Sequence, residues 1–184
     1  MSEHNPEVLK SSHNTINIIV VIDTDRIIND KEKETVSKNP DKPTPIGHQY
    51  SYMVATNESV ISGSGTADLN VKANIDDTLR WTGISESGNS DSSVLVYNLP
   101  KFAGDTVFTT PQYIKRTRSA MEPGKDSPFP VSFSEQTHWY MQSTLIAKGK
   151  EHYQVQFGLY RRGKEGKQEL FGYFQWDPTI TVNN

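Results

Sequence analysis

The sequence predicts an all-β chain, a single antiparallel β-sandwich in a jelly-roll or cupredoxin-like arrangement with long loops. Residues 153–159 alternate Tyr153, Val155, Phe157 and Leu159 with Gln154, Gln156 and Gly158, the period of two that belongs to a half-buried strand. Short apolar runs bounded by Gly, Pro, Ser, Asn and Asp recur along the chain at the spacing of sandwiches and barrels. No window of about ten residues carries an apolar stripe at helical period, so little helix is expected.

The 184 residues suit one domain, residues 15–184, preceded by a polar and disordered tail, residues 1–14. Residues 16–22 read as a buried central strand. Residues 30–45, charged and carrying Pro40, Pro43 and Pro45, read as an exposed loop without a core of its own. Strand returns at 49–55, and the SGSGT run at 62–66 is a turn. Leu69, Val71 and Ala73 then alternate with Asn70 and Lys72, and Asp76-Asp77 turns the chain into 78–84, where Leu79 and Trp81 face one way. After a Ser/Gly/Asn/Asp loop at 85–93, strands are expected at 94–98, 105–108 and 113–118. A second long loop at 121–130 precedes a strand at 138–147 and the closing hairpin. The hairpin's tip, 161–168, is rich in Gly and Lys; its second strand, 170–176, has aromatics on both faces and is expected to be covered on both. A short last strand ends the chain. The core predicted from alternation is Ile18, Val20, Leu79, Trp81, Val94, Val155, Phe157 and Phe174.

Composition excludes several classes of function. A net charge of -3 gives no electrostatic reason to approach a polyanion, and the tight basic cluster Lys115, Arg116 and Arg118 reads as a solvated strand face, so no nucleic-acid partner is expected. Without cysteine there is no disulfide framework, thiolate nucleophile, zinc thiolate or blue-copper site, which fits a reducing cytoplasm. The longest apolar run, 18–22, falls far short of the roughly 18 to 20 residues that span a bilayer, so no membrane span is expected. The polar start of the chain lacks the basic and apolar regions of a secretory signal. No P-loop, dinucleotide-binding glycine pattern, HExxH or GxSxG elbow occurs, and His48, His138 and His152 show no ligand or triad spacing; enzymatic turnover is not expected. The Asp-Asp-Thr turn at 76–78 resembles turns of cupredoxin-like sandwiches in architecture alone.

Four blocks carry a more specific resemblance: INIIVVIDTDRI (16–27), YSYMVATNESVISGSGTADLNVKANIDDTLRW (50–81), SDSSVLVYNL (90–99) and ELFGYFQWDPTITV (169–182). In this order they resemble the AidA/PixA family of bacterial inclusion-body proteins. The resemblance implies a soluble bacterial protein of quorum-sensing-regulated expression or crystalline cytoplasmic inclusions, with no established enzymatic activity. The loops at 30–45 and 121–130 match loosely, and no specificity lodged there carries over.

Two chemical candidates stand out. Asp23 and Asp25, read as part of an extended strand, would share one face with Cα atoms roughly 6.6 Å apart, close enough to bridge one hard cation. Calcium is the ion such a pair suggests, but it needs about 6 to 8 oxygens, with Asp68, Asn70, Asp76, Asp77 or Asp177 as further donors. The alternative is a strand end whose carboxylates cap backbone N–H groups. The second candidate is a glycan site: Trp176 as the platform for a pyranose face, Asp177 beside it where Pro178 turns the chain, and Asp68 and Asn70 as hydroxyl partners. The expected function is therefore binding or self-assembly as a cytoplasmic homo-oligomer, with a lectin, calcium-dependent or not, as the alternative.

Overall fold

The buried strand expected near the start is β1 (Thr15–Ile22): Ile16, Ile18, Val20 and Ile22 point inward, and Thr15, Asn17 and Ile19 are exposed. This and all that follows comes from a computed structural model that describes residues 13–163 and 165–183. Most of the expected disordered tail lies outside the described residues. Its last residue, Asn14, is tied in, its N–H donating to Asp77 Oδ1 at 2.7 Å and its carbonyl accepting from Thr78 N at 2.8 Å.

At Asp23 the chain leaves the strand for α1 (Thr24–Lys31), the α-helix among the described residues. Extended geometry for Asp23 and Asp25 is thus overturned. Asp23 is the N-cap, its Oδ1 accepting from Arg26 N at 3.1 Å, and Asp25 sits in the first turn. Glu86 adds a second cap from a distant loop, accepting from Thr24 N at 2.7 Å and Thr24 Oγ1 at 2.8 Å. Two acidic groups near the positive end of a helix dipole stabilise so short an element, and Ile27, fully buried, pins it to the core.

The remaining strands are β2 (Thr44–Pro45), β3 (Ser51–Val54), β4 (Val60–Ser62), β5 (Asn70–Lys72), β6 (Thr78–Ser85), β7 (Ser93–Asn98) and β8 (Lys101–Gly104). They continue as β9 (Gln112–Glu122), β10 (Ser132–Thr144), β11 (Gly149–Tyr153), β12 (Val155–Arg162), β13 (Gln168–Trp176) and β14 (Thr179–Asn183). The expected strand at 105–108 is instead β8, with Phe108 making one isolated bridge to Leu145. The strands foreseen at 113–118 and 138–147 become β9 and β10, which extend toward each other so that β9 absorbs the start of the supposed loop at 121–130 and β10 begins just after its end.

Three sheets form, with orders β3-β1-β6-β10-β9, β4-β5-β14-β11-β8 and β2-β13-β12-β7. The all-β expectation stands, but two sheets and purely antiparallel pairing do not: β1 runs parallel to β6, β13 to β2 and β14 to β5. The third sheet arises because the closing hairpin is broken midway. β11 and β14 pair below the break, β12 and β13 above it. At the break Pro178 has no N–H to donate; its carbonyl accepts from Tyr153 N at 3.2 Å, and Gln154 N turns away to Pro100 O at 2.8 Å.

All eight residues predicted as core are buried, in one contiguous cluster. Its aromatic centre holds Trp81 against Phe108 at 5.5 Å and Tyr153 at 6.1 Å, and Phe157 against Phe174 at 5.8 Å and Trp176 at 6.0 Å. The loop at 30–45 is less free than its composition suggests. Lys38 Nζ donates to the carbonyls of Leu170 and Phe171, Tyr97 Oη donates to Pro40 O at 2.7 Å, and Tyr173 N donates to Ser37 O, so the loop covers the outer face of β13. This supplies the two-sided cover expected of that strand.

Because Phe157 is fully buried between two aromatic rings, Phe157→Ala is expected to cost about 3 to 5 kcal/mol in urea unfolding, with the folded far-UV circular dichroism unchanged.

Candidate functional site

The break in the closing hairpin gathers several residues that are remote in sequence. Asp177 occupies the corner between β13 and β14, and Asp68 approaches it from the segment before β5. Asp68 Oδ1 accepts from Thr179 N at 2.9 Å, while its Oδ2 lies 3.1 Å from His48 Nδ1. The other nitrogen of the same ring, Nε2, lies 3.4 Å from Asp177 Oδ1. His48 therefore bridges two carboxylates that the sequence separates widely. On the far side of Thr179, His152 Nδ1 lies 2.9 Å from its hydroxyl, and the His152 ring leans on Phe102 with centroids 6.0 Å apart.

Asp68 and Asp177 thus come together as expected, but Trp176 and Asn70 behave differently. Trp176 is only 2% exposed; its indole N–H donates to Ala67 O at 3.2 Å and its ring packs edge-on against Phe157. A strand with aromatics inside leaves no ring face for a ligand. The solvent-facing aromatic at this corner is Phe102, 53% exposed, at the edge of a shallow depression of about 190 Å³ shared with Gln154, Gln175 and Asp177. Asn70 turns its amide to Ser62 Oγ at 2.9 Å and serves the turn at 62–66.

Asp23 and Asp25 lie elsewhere, at the start of α1, where residues two apart on a helix do not face each other. Asp77, a proposed extra donor, is buried with both carboxylate oxygens engaged by the N–H groups of Asn14 and Asn74. Among the described residues no three His, Asp or Glu side chains are grouped as a metal site would require. The capping alternative describes the bonds that Asp23 makes.

A cleft of about 580 Å³ opens beside β8, with Leu99, Phe108 and Glu151 at its floor and Lys101 and Ile146 at its rim. Glu151, 1% exposed, accepts from Val107 N at 2.7 Å through Oε2. Burial pushes its carboxyl above the usual carboxylate range, partly opposed by the Val107 and Phe108 N–H groups and by Lys101.

The largest departure from the expectations is the hairpin of β9 and β10. β10 pairs with β6 only through Met141 to Thr144; from Tyr140 to Ser132 it has β9 alone for a strand neighbour. The pair therefore projects as a two-stranded ribbon. Its rows, read from base to tip on the face continuous with the core, are Tyr113 with Met141, Lys115 with Trp139, Thr117 with Thr137, Ser119 with Glu135, and Met121 with Phe133. Tyr113, Trp139, Met121 and Phe133 are exposed on this one face, Phe133 by 71%, and Phe129 at the tip by 77%. The other face carries Arg116, Arg118, Gln136 and His138. The basic cluster read from the sequence is thus divided: Arg116 and Arg118 share one face and Lys115 lies on the other. Alternation escaped notice here because neither face enters the core, so polar residues occur on both.

The structure is an all-β body with one projecting amphipathic ribbon and a histidine-bridged pair of surface carboxylates, and no described helix is long and apolar enough to cross a membrane. The comparison with known proteins gives the family. The chain belongs to the PixA family of inclusion body proteins, whose model matches residues 14–182. It is similar to the inclusion body protein PixA of Burkholderia cenocepacia J2315, known from a crystal structure, with 26% identity and a TM-score of 0.82 over 95% of this chain and 99% of that one. No curated protein matches the chain.

Glu151 yields a pH prediction. Its folded pKa lies above its unfolded value of about 4.5, so between the two the folded state holds more protons and stability falls as pH rises. Glu151→Gln, which keeps an acceptor for Val107, is expected to flatten that part of the stability–pH curve and to raise the melting temperature at neutral pH.

Proposed function

We propose that the protein works by binding and self-assembly and not by turnover, copies of the chain joining through the apolar face of the β9–β10 ribbon and accumulating as inclusions in the bacterial cytoplasm. The observation that carries this reading is the exposure of Tyr113, Met121, Phe133 and Trp139 on one side of a ribbon that has no third strand. An isolated two-stranded ribbon is marginally stable in water, and exposed apolar side chains clustered at its base and near its tip mark an interaction site. Membership of a family of inclusion body proteins supports the same reading.

Light scattering across a concentration series tests it. The unmodified protein is expected to exceed the monomer mass, and the double variant Met121→Ser/Phe133→Ser to remain monomeric with an unchanged far-UV circular dichroism spectrum, because neither side chain packs in the core of the single chain. A monomeric mass for the unmodified protein at every concentration counts against the reading.

A second reading, glycan binding, is favoured by one feature. Phe102 is exposed beside Asp177, Gln154 and Gln175, the combination of an apolar platform and hydroxyl partners that a sugar requires. On a glycan array it predicts hits that Phe102→Ala removes, and parallel wells with EDTA separate a calcium-dependent lectin from a metal-free one. A blank array for the unmodified protein removes this reading.

A further inference from the structure

On the ribbon's apolar face, opposite charges and exposed apolar side chains stand on either side of a central row. Thr117 and Thr137 form the central row; one row toward the base stands Lys115 beside Trp139 and one row toward the tip Glu135 beside Ser119, and two rows away stand Tyr113, exposed beside the buried Met141, and the exposed pair Met121 and Phe133. We infer that the partner of this face is a second copy of the same face, packed base to tip about a two-fold axis that crosses the Thr117–Thr137 row. This inference rests on the self-association reading above and adds its partner and register.

The axis lies in the interface plane and runs across the strands, so each strand covers its own counterpart in reverse. Met121 of one copy then meets Tyr113 of the other, and Phe133 lies diagonally beside Trp139, at both ends of the interface. Lys115 of each copy comes diagonally within reach of Glu135 of the other, giving two equivalent ion pairs. The face spans eight residue steps from Tyr113 to Met121, about 27 Å at about 3.4 Å per step, and the reversed packing sets the two bodies at opposite ends. A foreign partner would need no such arrangement; a self-complementary patch is the requirement of an isologous dimer. The alternatives on the ribbon are poorer. Its other face sets Arg116, Arg118 and His138 together, and its free edge, β9, carries Lys115, Arg116 and Arg118, which discourage strand-to-strand pairing.

Charge reversal tests the register. Lys115→Glu alone and Glu135→Lys alone each place like charges opposite one another twice per dimer, and each is expected to weaken dimerisation by at least about tenfold in analytical ultracentrifugation. Mixing the two variants sets opposite charges against each other again at both positions and is expected to restore the dimer, whereas Arg118→Glu on the other face changes little. The chain has no cysteine, so a single introduced thiol reports without ambiguity. Facing sheets stand about 10 Å apart, too far for a disulfide, so Thr137→Cys is expected to be linked into a covalent dimer by a short bis-maleimide, and Gln136→Cys on the opposite face is not. If the unmodified protein associates but the mixture stays dissociated and Thr137→Cys is not linked, the two-fold register is wrong and self-association stands. If the unmodified protein is monomeric throughout, both fall.

Discussion

Pro178 has no amide hydrogen, and much of the architecture depends on that. The ladder between the two long C-terminal segments cannot pass through it, so the hairpin divides at Gln154 and Asp177-Pro178 into a β11–β14 pair and a β12–β13 pair. One hairpin thereby serves two sheets, and each half recruits its own neighbours: β5 and β8 on one side, β7 and β2 on the other. The side chains on its inner face still alternate without interruption, from Tyr153 through Val155 and Phe157 to Leu159, so the core remains single although the hydrogen bonding is split.

The same break creates the polar corner. Where a ladder is interrupted, side chains and backbone groups that would have been paired need other partners. Asp68 accepts from Thr179 N just past the proline, His48 closes the distance to Asp177, and His152 takes up the Thr179 hydroxyl. The histidine-bridged carboxylates are in this sense a product of the fold's main discontinuity, and Phe102, on the edge strand β8, is exposed there because no further strand covers it.

The ribbon arises from a second discontinuity. β6 lies close to β7 at Gly83, where a Cβ would stand 2.7 Å from Val96 Cγ2, and past Trp81 it no longer pairs with β10. β10 and β9 continue outward together, carrying a face that began as core into solvent. Met141 is buried at the base and Phe133 is exposed near the tip of one continuous face.

Local pattern alone determined the all-β class, the position of most strands and all eight of the predicted core residues, because a two-residue alternation is a direct record of which side of a strand is buried. Asp177 was legible as a chain-turning position, since it stands directly before Pro178. The tertiary structure decided the rest. The helix at Thr24–Lys31 has a local cap in Asp23 but also draws on Glu86, which reaches its first turn from sixty-two residues beyond Thr24 and lies outside any local window. Trp176 proved core and Phe102 exposed because burial depends on which strand finds a neighbour. The ribbon was hidden for the complementary reason. Periodicity reports faces sorted between core and water, and a segment with water on both sides leaves no such record until the fold shows where it projects.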